Sequence, residues 1–212
     1  MSVEVRAFSC EIRAEQSEEH GHYLTGRPIV FGATYDNGLF EETIAKGALD
    51  HTDLRDVRLL VNHNTDMIPL ARSRNNNANS TMQLSPNDAG MDMRADLDIE
   101  RNADSLSLYS AAERGDISGM SFMFRVESDK WEGLDSDHPK RTITGISKVF
   151  EVSAVTWPAY EQTSLEARSH AKALDSAASV LESAREARRR EQEREDLISN
   201  TITRGRRCKR HM

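Results

Sequence analysis

Three residues of this chain are of types that can carry out acyl transfer together: Ser121, His63 and Glu151. A serine hydroxyl is a weak nucleophile until a base takes its proton, and the base works best when a third group orients it and offsets its charge. A free imidazole titrates near ~6.5, so His63 suits the base, and Glu151 supplies an acid that can orient it. Their order is His, Ser, acid, with spacings of 58 and 30 residues. Such an order is allowed because a triad is defined by geometry rather than by chain order. Each residue also has a plainer reading: His63 as a strand-end turn residue between Asn62 and Asn64, Ser121 as a small strand residue, and Glu151 as a solvent-facing strand carboxylate. The run Gly119-Met120-Ser121-Phe122-Met123 lacks the second glycine of a nucleophile elbow, which disfavours an α/β-hydrolase.

Other groupings carry less. His20 and His22 form an H-x-H pair that, with His63, would be the ligand set of a metal-dependent hydrolase, but no neighbouring Cys or third His completes it locally. Asp92, Asp96, Asp98 and Glu100 read most simply as the wet face of a strand. The basic run Arg188–Arg190 is flanked by acidic residues and reads as a solvated helix face. No phosphate-binding loop or dinucleotide fingerprint occurs, and no cofactor is implied.

The elements that must position the three residues follow from periodicity. In Gly115–Glu127, Phe122, Phe124 and Val126 share one face of a strand, leaving Ser121, Met123 and Arg125 on the other. Ser118 and Gly119 supply a turn before it, so Ser121 is expected near the start of that strand, presented to a cleft. The apolar run Val57–Val61 predicts a buried strand that delivers His63 just past its end. Residues 143–157 predict the last long strand, interrupted by Gly145 and stopped by Pro158. Elsewhere, alternation predicts strands at residues 3–7 and 26–35, and a hairpin of Met82 and Leu84 with 91–99 across a turn at 85–90. Residues 15–22 read as a polar turn, 73–80 as a loop, 128–141 as a charged loop and 40–49 as a short helix weakened by Gly47. A second helix is expected over 102–115, capped by Asn102 or Asp104 and ended by Gly115.

Charge divides the 212 residues into a body and an appendage. Residues 1–165 hold 16 Lys and Arg against 27 Asp and Glu, a net of −11, whereas residues 166–212 hold 12 against 8, a net of +4. An acidic body argues against nucleic-acid binding there. From Glu166 to Ser199 the chain has no Pro or Gly and thin apolar content, which predicts a long charged helix, solvated or completed by a partner. Two cysteines, Cys10 and Cys208, near opposite ends favour a reducing setting over a disulfide scaffold. No long apolar leader or run of 18 apolar residues occurs, so a soluble protein without a membrane partner is expected.

Four motifs in order resemble the prohead (capsid maturation) proteases of tailed bacteriophages, distant relatives of the herpesvirus assemblins. They are Ile29-Val-Phe-Gly32 with Phe40-x6-Gly47-Ala-Leu49, then Leu59-Leu-Val-Asn-His63-Asn64, then Gly119-Met-Ser-Phe-Met-Phe-Arg-Val126, then Glu151-Val-Ser-Ala-Val-Thr-Trp-Pro-Ala-Tyr160. Together they cover roughly residues 24–165. The resemblance implies an α+β fold that is mainly an antiparallel β-barrel flanked by short helices, with the charged C-terminal helix appended. It implies a serine endopeptidase with His63 as base, Ser121 as nucleophile and Glu151 as third member, although assemblins use a second histidine in that place. It also implies a homo-oligomer acting on the major capsid protein's scaffolding segment, on scaffold and on itself, inside the immature capsid in the host cytoplasm. Two departures stand out: Met123 where many relatives have Gly, and an Asn-rich loop at 72–80. The competing expectation is a non-catalytic scaffold or assembly protein on the same fold. On the protease reading, the tail, residues 166–212, would dock on scaffold during assembly or be removed by self-cleavage.

Overall fold

The computed structural model describes residues 3–9, 12–156 and 167–208. Three strands open the chain: β1 (Val3–Ser9), β2 (Arg13–Ser17) and β3 (Gly21–Val30). Short strands β4 (Thr34–Asp36), β5 (Glu41–Ile44), β6 (Arg58–Val61) and β7 (Ala71–Arg72) follow, then the hairpin β8 (Met82–Asn87) and β9 (Gly90–Leu97). Helix α1 (Ala103–Glu113) leads into the two long strands, β10 (Gly119–Glu132) and β11 (Lys140–Val155), and α2 (Ala167–Cys208) comes last.

These strands do not close into the barrel expected from the resemblance. They form two sheets, one ordered β1-β10-β11-β5-β4 with β6 added on β11 and β7 on β6, the other ordered β2-β3-β9-β8. A barrel needs its first and last strands to pair, yet β1 pairs with β10 and β4 with β5, at opposite edges. The pairing that shapes the larger sheet is along β11. Its first half takes β5 in parallel (Lys140↔Glu41 to Ile143↔Ile44), and its second half takes β6 in parallel (Glu151↔Arg58 to Ala154↔Val61). Register shifts in β10–β11 between Met123 and Asp129 bend the ladder between the two halves.

One core joins both sheets and α1, containing Leu24, Ile29, Met91 and Met93 from one sheet, Phe122, Phe124, Val149 and Val152 from the other, and Leu108 and Ala112 from the helix. Phe122 and Phe124 are fully buried and stacked, centroids 4.6 Å apart, and burial of each contributes about 1.5–3 kcal/mol. The Asn102 side chain caps α1 by accepting from the backbone N–H groups of Asp104 and Ser105, and Gly115, at φ 76°, turns the chain out of it. Gly90 lets β9 approach β3: at φ 149° a Cβ there would lie 1.9 Å from the Ile29 carbonyl oxygen.

Several local expectations are corrected. Residues 40–49 open with β5 rather than a helix: Phe40, Glu42 and Ile44 point inward at period two, and a charged residue on the buried face disguised the alternation. Residues 15–22 are the end of β2 and the start of β3, joined by a three-residue turn. The segment 128–141 is strand at both ends, with β10 reaching Glu132 and β11 starting at Lys140, and the loop is confined to 133–139. The composition break at Ser164 lies outside the described residues, as do Trp157, Pro158 and Cys10. Within α2, Ala177, Leu181 and Ala184 pack on Phe40, Trp131 and Leu134, and Arg185 donates to the carbonyls of Leu134 and Ser136.

Beneath β1 lies a buried ion cluster. Arg6 donates to Glu4 (2.6 Å) and, through both Nε and Nη2, to Glu42, while Arg141 donates to Glu4 (2.7 and 3.0 Å), to Glu42 (2.8 Å) and to Asp129 (2.7 Å). Burial would push the Glu4 carboxyl up, but the hydrogen bond from Arg141 and the charges of Arg6 and Arg141 outweigh it and hold the carboxyl below its ordinary range. Burial works against charge on both guanidinium groups as well, and their carboxylate partners more than offset it, raising Arg6 and Arg141 above the usual arginine value.

Candidate active site

β6 carries buried Leu59 and Leu60 into the core, which fixes the end of the strand and hence the start of the turn that follows. In that turn Asn62 and His63 both adopt left-handed backbone, φ 51° and 55°. Such a conformation costs on the order of 1–3 kcal/mol for a non-glycine residue and persists only where its surroundings hold it. Here they do: Asn62 N–H donates to the Ala154 carbonyl (3.0 Å), the Asn62 side-chain oxygen accepts from Thr156 N–H (3.0 Å), and His63 N–H donates to Ser153 Oγ (3.1 Å). The left-handed pair turns the imidazole back over β11 and β10.

The residues singled out as a triad meet there. His63 Nε2 lies 2.6 Å from Ser121 Oγ, and His63 Nδ1 lies 2.5 Å from Glu151 Oε1. Ser121 sits on β10, paired with Ala7 of β1 and Ser153 of β11, and Glu151 is paired with Met123. Ser121, Glu151 and Ser153 thus share the sheet face opposite Phe122 and Val152. Contrary to expectation, Ser121 is not presented to an open cleft but is wholly buried, and Glu151 is no solvent-facing carboxylate, being 3% exposed. The His63 side chain, 23% exposed, is the member that meets solvent.

The Ser121 hydroxyl has one hydrogen and two acceptors within reach, His63 Nε2 and the Arg6 backbone carbonyl at 2.8 Å. With the hydrogen on His63 Nδ1 held by Glu151, Nε2 presents a lone pair and the hydroxyl is poised for deprotonation. With the hydroxyl turned to the Arg6 carbonyl, the oxygen instead accepts from a protonated Nε2.

The residue that sequence reasoning passed over is Ser153. It is fully buried, and its hydroxyl donates to the second oxygen of Glu151 at 2.5 Å while accepting from His63 N–H. The signal for it was the period-two spacing Glu151-x-Ser153, which puts both on one face of a strand otherwise apolar at 152, 154 and 155.

The metal alternative loses its ligand set. Among the described residues no group of three or more His, Cys, Asp or Glu is placed to hold a metal ion. His20 Nε2 accepts from Arg94 (3.0 Å), and the His22 ring stands edge-on to Tyr109 at 5.1 Å. Asp92 pairs with Arg27 and Asn87, Asp96 with Arg94 and Asp98 with Arg101, so the first two line a half-exposed sheet face while Asp98 and Glu100 follow β9 in a turn. Arg189 and Arg190 pair with Glu182 and Glu186 on the exposed surface of α2. Among the described residues no helix is long and apolar enough to cross a membrane.

Neither the curated proteins nor the solved structures include a match to this chain. A family model described as caudovirus prohead serine protease does match, over residues 8–176, and that span takes in β2 to β11 with all three residues of the hydrogen-bonded line. The chain belongs to the caudovirus prohead serine protease family.

Proposed function

We propose that this protein is a serine endopeptidase of phage capsid maturation, with Ser121 as nucleophile, His63 as general base and Glu151 as the acid that orients and offsets it. The observation that carries this reading is the continuous line from Ser121 Oγ to His63 Nε2 (2.6 Å) and from His63 Nδ1 to Glu151 Oε1 (2.5 Å). As the Ser121 oxygen bonds to the scissile carbonyl carbon, its proton passes to His63 Nε2, and the imidazolium is held by Glu151. The same proton then goes to the leaving amine as the C–N bond breaks. Water, deprotonated by His63, afterwards attacks the acyl carbon, and the C–O bond to Ser121 breaks as His63 returns the proton to the serine oxygen.

Family membership supports capsid proteins as the substrates. We read them more finely as scaffold, the scaffolding segment of the major capsid protein and the enzyme's own tail, cut inside the prohead. Co-expression with the matching scaffold and capsid protein tests this, wild type beside Ser121→Ala, followed by intact mass. Defined fragments in the wild type alone support the reading. Identical intact masses from both, in shells that still assemble, favour a non-catalytic assembly protein, the alternative to which the complete burial of Ser121 lends weight. Deleting residues 166–212 tests the tail: unchanged co-packaging with scaffold sinks a docking role.

A further inference from the structure

We infer that Ser153 is a positioning residue for the reaction, a fourth member that holds both the acid and the base; this rests on the triad proposed above. The hydrogen bonds of the Ser153 hydroxyl go to Glu151 and His63 rather than to the Ser121 oxygen, and Ser153 has no exposed surface. Its one hydroxyl nevertheless does two things. The hydrogen goes to Glu151 Oε2 at 2.5 Å, which leaves Oε1 directed at His63 Nδ1. The oxygen takes the backbone N–H of His63 at 3.1 Å, which stabilises the left-handed backbone at φ 55°.

The position itself argues for this role. Ser153 lies at the middle of three adjacent strands, opposite Ser121 on β10 and Leu60 on β6, with no exposed surface. Alanine would fill such a place at no desolvation cost, whereas a buried hydroxyl costs free energy unless fully bonded. Here it is fully bonded, and both partners belong to the triad. Without it, Glu151 Oε2 is buried without a donor and the His63 N–H without an acceptor. The carboxylate can then rotate and the strained turn relax, and both motions displace the imidazole from the Ser121 oxygen. A displacement of about 1 Å in a catalytic group costs on the order of 10²-fold in rate.

The test uses the full chain and a small fluorophosphonate probe, with the modified residue mapped by peptide mass. Ser153→Ala is expected to label at Ser121 on the order of 10²-fold more slowly than wild type. Ser153→Cys, a weaker donor of similar size, is expected to fall between the two. Proton NMR adds a readout that general loosening of the fold would not give: a far-downfield resonance of the proton between His63 and Glu151 is expected in wild type, and it is expected to move or broaden in Ser153→Ala while the core methyl spectrum is kept. Wild-type labelling in Ser153→Ala with the downfield resonance unmoved overturns the inference and leaves the triad standing. If wild type labels no more than Ser121→Ala, the triad reading itself fails and takes the inference with it.

Discussion

Strands β10 and β11 each run through two buried polar assemblies, and the two are built on opposite terms. Where Ser121 meets Glu151 and Ser153, four side chains are joined by a line of hydrogen bonds in which one hydroxyl hydrogen has two acceptors. Further along the same strands, Asp129 and Arg141 join Glu4, Arg6 and Glu42 in a cluster where two guanidinium groups meet three carboxylates. The cluster is saturated: its arginines are driven further toward the charged state, and every carboxylate has a donor. The line through Ser121, His63 and Glu151 keeps slack, namely a hydroxyl proton with a choice of place and an imidazole that reaches solvent. Buried polar groups of the first kind fix strands in register, and those of the second kind can change state during a reaction. Arg6 belongs to both, its guanidinium in the cluster and its carbonyl beside the Ser121 hydroxyl.

The largest effect expected from breaking either assembly is on chemistry. Ser121→Ala or His63→Ala should reduce peptide cleavage on the order of 10⁶-fold, and Glu151→Gln on the order of 10⁴-fold, by analogy with how such members act as a unit. Urea midpoints measured on the same variants should move little for Ser121→Ala, because the lost hydroxyl leaves an imidazole that can still meet solvent. A Ser121→Ala protein that cleaves normally would remove the slack line from any catalytic role.

The saturated cluster should answer in the other currency. Arg141→Met removes one partner from buried carboxylates and is expected to destabilise the fold by about 3–5 kcal/mol. Fluorophosphonate labelling of Ser121 in the fraction that remains folded should stay near the wild-type rate. The pair of measurements to compare is the urea midpoint and the labelling rate. If labelling falls as far as is expected for Ser153→Ala, the two assemblies are coupled through β1 and the division between them does not hold.

The same contrast explains what could be read from the chain alone. The hairpin β8–β9, the capped helix α1 and the strand delivering His63 were legible because their inward faces are apolar and their ends carry Asn, Gly or a turn run. Three of the four family-like motifs also carried the three residues that the fold draws together. What resisted reading was the cluster, since Glu42 faces inward on β5 and Glu4 and Arg6 face inward on β1. Inward charges invert the period-two signal, so β5 passed for a helix and the charged ends of β10 and β11 passed for a loop. The choice between a closed barrel and two sheets depends on which edges pair, information held by no single strand. Ser153 escaped because a lone serine in a strand looks inert until the carboxylate two residues before it is known to be buried beside it.

The smallest expected effect sharpens the division by pH. Glu4 has a folded-state carboxyl held below its ordinary value near 4.5, burial being outweighed by Arg141 and Arg6. A depressed carboxyl stabilises the fold at pH above its unfolded value, and that contribution is lost as pH falls through the folded value. Glu4→Gln keeps shape and one acceptor oxygen but removes the charge, so near neutral pH it should cost about 1.5–3 kcal/mol, the size of hydrogen bonds to a charged group. The gap between wild type and Glu4→Gln in urea midpoint should then hold from about pH 7 down to about pH 5 and narrow at lower pH, as the unfolded-state carboxyl takes up its proton before the folded one does. A gap that stays constant at the lower pH too would mean the cluster is held by shape and hydrogen-bond count rather than by charge. Arg141→Met would then need to be read as a packing defect.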